Sequence, residues 1–437
     1  MTALASVFTL NTSAARTRLI GDGLWVALGQ GLAALGVLLG MRLLTEVVPP
    51  PVFGSVTLLL AIGTLGYNLL CSPLLLAGTR FYSEAAIDDQ LPGLRRTLKT
   101  LLSRAMLGLV VLSLAATLVS HGPRILSSWT FLSLALLMAL DAARALEVNF
   151  LIAARRQRPV AIWSAADAWG RPAFAFIAVN AFGVSPQLVL AGYAAASAFC
   201  FLIFVCSTAR EGVSAQPRSS AAESSLRREI LKYALPLIPL ALVSWVSSYS
   251  DRYVIATVLG VEKVGIFAAA VGLVSRPFLM AGSVVGQTLR PLYFAAVAAN
   301  NRREGRRVFR LWLAVTAFVS LSGVGAFALL GNWAGEILLA QSYRSGLALF
   351  PGIAVGFAFM TLANTFSERF LACKRTGVLT LIQTGMALSY LGLAWPLINR
   401  FGLKGAVIAF AFNSFLAVLV LAVAGSQIAA KTHVEAK

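Results

Sequence analysis

Nine charged side chains lie within, or at the edge of, long apolar runs: Arg144, Arg171, Arg252, Arg276 and Arg290 with Asp141, Glu147, Asp167 and Asp251. A guanidinium presents a planar fork of donors that fits a phosphate or a carboxylate, and a carboxylate within a bilayer pairs with a cation or carries a proton. An ionised side chain at the centre of a bilayer costs about 2.5–3.5 kcal/mol even on insertion scales, so charges placed deep must face protein or water. Asp141, Arg144 and Glu147 recur every three residues along one stripe, and Asp167 and Arg171 are four apart, which makes each set helical neighbours. Asp251 and Arg252 are adjacent and diverge by about 100° on a helix, so at least one needs a partner from elsewhere. For Asp141, Arg144 and Asp167 a buried ion pair is as good a reading as a functional site. For Arg252 and Arg276 function is the better reading, because no acid sits one turn away in their own helix. Arg80 and Arg290 lie at span ends, where snorkelling accounts for them and a rim contact with ligand is the alternative. Asp22 and Glu368 fall at span ends within reach of water.

The composition excludes several other chemistries. Cys71, Cys200, Cys206 and Cys373 show no CxxC spacing, and His121 and His433 are far apart, so neither a disulfide framework nor a metal centre is expected. No P-loop, nucleophile elbow or HExxH motif is present, which removes the commonest signatures of catalysis. The net charge of +19 would suit nucleic acid if it were clustered on one face, but its distribution says otherwise.

The elements that must position these charges are membrane helices. With 58% apolar and 12% charged residues the chain departs from soluble composition, and apolar runs of spanning length fall near 20–41, 52–78, 102–120, 129–152, 160–181, 187–208, 232–259, 264–289, 308–330, 346–368, 377–398 and 404–428. The connections between them alternate between a set with 25 basic residues and a set with six. Basic loops stay in the cytoplasm, which predicts two cytoplasmic termini and an inner-membrane protein. No basic segment precedes an apolar core in the first 18 residues, so no cleaved signal is expected. The fold expected is all-α and polytopic, with an N-terminal six-helix lobe (1–208), a Ser/Arg-rich cytoplasmic linker (209–231) and a C-terminal six-helix lobe (232–437). Weak internal repeats support two parallel halves. Phe150-Leu-Ile-Ala-Ala-Arg-Arg-Gln-Arg-Pro-Val160 echoes Phe370-Leu-Ala-Cys-Lys-Arg-Thr-Gly-Val378, Val52-Phe-Gly54 echoes Val264-Gly265, and Arg80 echoes Arg290. Gly36 and Gly40 have the spacing of a close helix contact, Pro277 is expected to loosen the helix beside Arg276, and Pro73, Pro236 and Pro239 are candidate kinks. The longest external loop is expected over 331–345.

Three stretches carry a family likeness: Leu43-Leu-Thr-Glu-Val-Val-Pro-Pro-Pro-Val-Phe-Gly-Ser55, Thr79-Arg-Phe-Tyr-Ser-Glu84, and Asp251-Arg-Tyr-Val-Ile-Ala-Thr-Val-Leu-Gly-Val-Glu-Lys-Val-Gly-Ile-Phe267. In these the chain resembles the polysaccharide-transporter branch, the Wzx-type flippases, of the multidrug/oligosaccharidyl-lipid/polysaccharide exporter superfamily. Pro49-Pro50-Pro51 departs from the turn usual in that family. The resemblance implies a V-shaped, MATE-like pair of six-helix lobes that alternates between inward-open and outward-open states. It also implies a substrate, a polyprenyl-pyrophosphate-linked oligosaccharide passed from the cytoplasmic to the periplasmic leaflet for O-antigen, capsule or exopolysaccharide assembly. Arg252, Arg276, Arg144 and Arg171 would then line the pyrophosphate and sugar cavity, with Arg80 and Arg290 at its cytoplasmic rim. Asp251, Asp167, Asp141 and Glu147 would be pairing acids or carriers of a coupling proton or sodium ion. No cofactor and no nucleic acid are expected; the partners are the lipid bilayer and a polysaccharide polymerase or co-polymerase. A cation-coupled drug antiporter of the same superfamily is the alternative, which unpaired acids and aromatics in the site would favour. A polysaccharide polymerase or glycosyltransferase is the remoter alternative, disfavoured by short external loops.

Overall fold

The computed structural model describes residues 13–87, 90–119, 128–154, 156–208, 220–299, 301–373 and 375–434. These residues are almost entirely helical: α1 Ser13–Val47, α2 Pro50–Leu70, α3 Ser72–Ile87, α4 Leu91–Val119, α5 Ser128–Ala153, α6 Gln157–Phe182 and α7 Pro186–Thr208, then α8 Ser220–Ala234 and the short 3-10 turn Leu235–Leu237. They continue with α9 Ile238–Leu259, α10 Val261–Ala298, α11 Arg302–Leu338, a 3-10 segment Gln341–Leu349, α12 Phe350–Ala372, α13 Thr376–Phe401 and α14 Leu403–Val434. In lipid the backbone must satisfy its own polar groups, which is why an apolar chain of this kind folds as helices. Large apolar side chains cover the outside: Leu329, Phe182 and Leu381 are 84%, 78% and 74% exposed. A surface of that kind is compatible with hydrocarbon and not with water. The protein is a multi-pass membrane protein.

Nine helical stretches among the described residues are long and apolar enough to cross a membrane. Of the three remaining expected spans, those in α5 and α6 carry Asp141, Arg144 and Glu147, and Arg158, Asp167 and Arg171, whereas the one in α4 follows Arg95, Arg96 and Lys99 and itself holds Arg104. Prolines shift several boundaries. The run 52–78 is interrupted at Cys71, between α2 and α3, two residues before Pro73. The run 232–259 is broken by the 3-10 turn holding Pro236, and α9 restarts with Pro239 in its first turn, where a missing amide is tolerated. By contrast α10 passes through Pro277 as continuous helix. Pro277 has no amide to donate, so the Leu273 carbonyl loses its usual helical partner there. The expected external loop 331–345 is mostly helical, because α11 continues to Leu338 and the 3-10 segment follows. Residues 209–219 of the expected linker lie outside the described residues, whereas 220–231 form most of α8, where Ala, Glu, Leu and Arg favour helix.

The chain divides into two compact units, Met1–Gly40, Leu70–Phe174 and Ala191–Leu235, and Met41–Leu69, Ala175–Leu190 and Pro236–Lys437. In the first unit α3, α4 and α5 pack on one another, and α8 docks on α3 and α4 through the fully buried Ile230. There the small Gly36 and Gly40 let α1 meet the Trp169 ring and Pro172 of α6, and the Trp169 Nε1–H donates to the Leu32 carbonyl at 2.9 Å. In the second unit α12 packs on α11 and α14, and α9 lies against α10 and α13. The repeated glycines of the sequence meet in this unit. A Cβ on Gly54 would strike the Val261 carbonyl and one on Gly265 the Pro50 carbonyl, so the first turns of α2 and α10 touch backbone to backbone. Trp245 Nε1–H donates to Ala61 O at 2.7 Å and the Tyr253 hydroxyl to Leu58 O at 3.0 Å, which bind α9 to α2. Gly260, at φ 88°, makes the tight joint between α9 and α10 in a conformation open chiefly to glycine.

Candidate functional site

In the first unit α5 and α6 bring four of the charges together. The Arg171 guanidinium donates through Nε to Asp167 Oδ1 at 3.1 Å and through Nη2 to Asp141 Oδ1. Arg144 Nη1 lies 3.3 Å from Asp167 and its Nε 3.8 Å from Asp141. Ser197 of α7 donates to Asp167 at 3.4 Å. Two guanidinium groups and two carboxylates thus form a closed quartet without formal net charge, each arginine held by both acids. Burial penalises such ions heavily unless they are paired; here every charge is paired and Arg171 is hydrogen-bonded to both acids, while the buried Nε of Arg144 lacks a hydrogen-bond partner. Glu147 leaves this group: one turn further along α5 it is buried and accepts from Arg95 of α4, with Lys99 Nζ at 3.2 Å. Arg95 and Lys99 are four apart and face one carboxylate, a spacing visible in the sequence although both residues read there as loop charges.

In the second unit the arrangement is different. Asp251 Oδ1 accepts the Arg252 backbone N–H at 2.8 Å, and the Tyr390 hydroxyl of α13 lies within hydrogen-bonding reach of the Asp251 carboxylate. The Arg252 guanidinium sits 4.7 Å from the centre of the Tyr249 ring, a cation–π contact that leaves its N–H fork uncommitted. Among the described residues neither Arg252 nor Arg276 forms an ion pair within 4 Å, and Arg276 on α10 is exposed. Arg290 does have a partner, the buried Glu368 of α12. Arg80 in the first unit stacks on Phe81 at 5.9 Å.

Around Arg252 the surface of α9 is polar. Ser244, Ser247 and Ser248 are exposed, and with Asp251 they follow the i, i+3, i+4, i+7 spacing of one helix face. The Ser247 and Ser248 hydroxyls donate to the carbonyls of Val243 and Ser244, at 3.0 and 2.9 Å. Tyr249 stacks on Trp245, with ring centres 6.1 Å apart, and so braces the ring beneath Arg252. A stripe of hydroxyls, an aromatic face and a guanidinium with open donors is suited to binding sugar hydroxyls and phosphate oxygens. Tyr249 is readable in the sequence as the i−3 neighbour of Arg252; Tyr390 is 139 positions from Asp251 and carries no local signal. Arg252 and Arg276 also stand at different depths. At 1.5 Å per residue they lie about 12 Å and about 24 Å along their helices from the Gly260 joint.

Comparison with known proteins places the chain in one family and shows which folds it shares. Residues 19–296 match the family described as polysaccharide biosynthesis protein. A Shigella flexneri protein named for O-antigen transport is 20% identical over 182 residues, 41% of this chain and 42% of that protein, so the match spans less than half the length of that relative. The solved structure of the lipid II flippase MurJ, in an inward closed conformation, superposes with a TM-score of 0.70 at 16% identity, covering 92% of this chain and 86% of that one. An outward-facing multidrug resistance transporter of the MATE family, in the MOP superfamily, gives a TM-score of 0.66 at 13% identity, covering 93% and 94%. The fold of this chain is therefore a MATE-like transporter fold.

Proposed function

This chain belongs to the polysaccharide biosynthesis protein family, which it matches over residues 19–296, and from that premise we propose that it is a flippase for a polyprenyl-pyrophosphate-linked oligosaccharide. The direction we assign is from the cytoplasmic to the periplasmic leaflet of the inner membrane, with both termini cytoplasmic, in the service of O-antigen, capsule or exopolysaccharide assembly by a polymerase. One observation carries the reading. Within membrane helices of the second unit, Arg252 and Arg276 keep guanidinium groups with no carboxylate within 4 Å among the described residues, and Arg252 adjoins an exposed stripe of hydroxyls. Such groups are costly to retain in a bilayer without a use, and a pyrophosphate supplies the missing anion. Sugar hydroxyls and phosphates do not cross about 30 Å of hydrocarbon unaided, because each unsatisfied polar group costs several kcal/mol. On this reading the serine stripe and Tyr249 hold the sugar, and the two arginines hand the phosphates along the depth that separates them. The quartet of Asp141, Arg144, Asp167 and Arg171 is given a structural part, since its charges satisfy one another. Asp251 is the acid we assign to any coupling proton or sodium ion, because it alone of the four intramembrane acids lacks an ion pair within 4 Å among the described residues.

The test is headgroup translocation in vesicles containing the purified protein. Wild type is expected to move the labelled lipid-linked oligosaccharide, and Arg252→Ala and Arg276→Ala are each expected to slow it about tenfold or more, the loss of one charge-assisted hydrogen bond. Normal rates in both variants would remove the phosphate role. A folded wild type that leaves the lipid in place but exchanges an organic cation for protons or sodium ions would instead establish an antiporter.

A further inference from the structure

Helices α10 and α11 are longer than a bilayer requires. With 38 and 37 residues they reach about 57 and 55 Å, against a hydrocarbon thickness of about 30 Å. Their joined end, 290–310, must therefore pass through the headgroup layer. That end is rigid, because Tyr293 of α10 packs on Val308, Phe309 and Trp312 of α11, with Phe366 of α12 against them. Asn301 caps α11, its side chain accepting from the Glu304 N–H at 3.1 Å.

On this platform Arg303, Arg306, Arg307 and Arg310 are all exposed. At 100° per residue they fall within an arc of about 100° on one side of α11, opposite the buried Gly305, Val308, Phe309 and Trp312. None has an ion pair within 4 Å among the described residues, and Glu304 is the one acid in this turn. The flanks are not polar. Leu292 on α10 and Leu311 on α11 are 54% and 53% exposed. Leucines beside a basic arc suit a boundary where hydrocarbon gives way to phosphate, and neither bulk water nor the centre of a bilayer satisfies both.

We propose that the α10–α11 end, through Arg303, Arg306, Arg307 and Arg310, is a binding surface for the headgroups of anionic phospholipids. The leucines rest at the acyl boundary and the guanidinium groups snorkel outward to the phosphates. Bound lipid would hold this end of the second unit at a set depth in the membrane.

The experiment places the full chain in bilayer discs of equal parts phosphatidylglycerol and phosphatidylcholine and measures the lipids retained by native mass spectrometry. Wild type is expected to retain phosphatidylglycerol preferentially, with the preference falling as salt rises. Replacing the four arginines by Gln is expected to reduce it by about fivefold or more, the worth of a basic residue at an anionic surface. Replacing them by Lys is expected to preserve it, as is replacing Arg227, Arg228 and Lys232 of α8 by Gln. An undiminished preference in the Gln variant would overturn the proposal, and so would an equal loss in the Lys or the α8 variant. If the Gln variant does not fold, the salt titration of wild type decides, since a preference indifferent to salt is incompatible with charge attraction.

Discussion

Arg171 and Arg252 are the same residue type in comparably apolar helices, yet their neighbours make them opposites. Arg171 divides its donors between Asp141 and Asp167, so its removal leaves two carboxylates facing only Arg144. Breaking a buried pair by deleting one partner costs about 3–5 kcal/mol. Arg171→Ala is expected to lose stability of that order in thermal unfolding of the detergent-solubilised protein. Arg171→Lys should lose less, because it keeps the positive charge, although one ammonium does not reach both acids. Arg252→Ala breaks no carboxylate pair and is expected to melt within about 1 kcal/mol of wild type while losing transport. Equal melting of Arg171→Ala and wild type would show that the quartet contributes no stability.

At the scale of elements, the contact of α2 with α10 is set by the absence of two side chains. Gly54 and Gly265 admit the Val261 and Pro50 carbonyls, positions that no Cβ can share with them. Gly265→Val must push the helices apart and weaken the neighbouring bonds from Trp245 to Ala61 and from Tyr253 to Leu58. Overpacking of this kind costs about 1–3 kcal/mol, and backbone contact places the variant at the upper end. The expected outcome is a lowered melting temperature with faster amide exchange in the first turns of both helices; unchanged exchange would show that the contact is dispensable. The second element to respond to a single change is α8. Its docking on α3 and α4 rests on Ile230, which is fully buried, and Ile230→Ala is expected to cost about 2–4 kcal/mol, read as lost exchange protection across 220–234.

For the whole molecule the relevant field is the membrane potential. An anionic headgroup moving outward gains about 2.3 kcal/mol per charge per 100 mV when the cytoplasmic side is negative. Flipping by the reconstituted protein is therefore expected to accelerate with an inside-negative potential and to slow when it is reversed; indifference to potential would mean that the headgroup crosses with its charge fully compensated. Much of the molecule at this scale was legible in its residues. Apolar runs, their lengths and the uneven share of 25 and six basic residues are local properties, and a bilayer is a uniform solvent that acts on them without reference to distant parts of the chain. Prolines marked the breaks at Cys71 and at 235–237, and glycine spacing marked the close approach at Gly36 and Gly40, whereas Gly54 and Gly265 read only as a repeat and their contact came with the fold. Pairing within one helix was legible, as for Asp167 with Arg171 and Asp141 with Arg144, but pairing between helices was not. Asp141 and Arg171 are 30 positions apart, Glu368 and Arg290 78, and Asp251 and Tyr390 139, and no helical period links them. Which arginines are satisfied, and which remain open to an anion, depends on how each helix is rotated against its neighbours. Packing sets that rotation, so only the folded chain closes Arg144 and Arg171 into one quartet with Asp141 and Asp167 and leaves Arg252 and Arg276, among the described residues, without an acid from another helix within 4 Å.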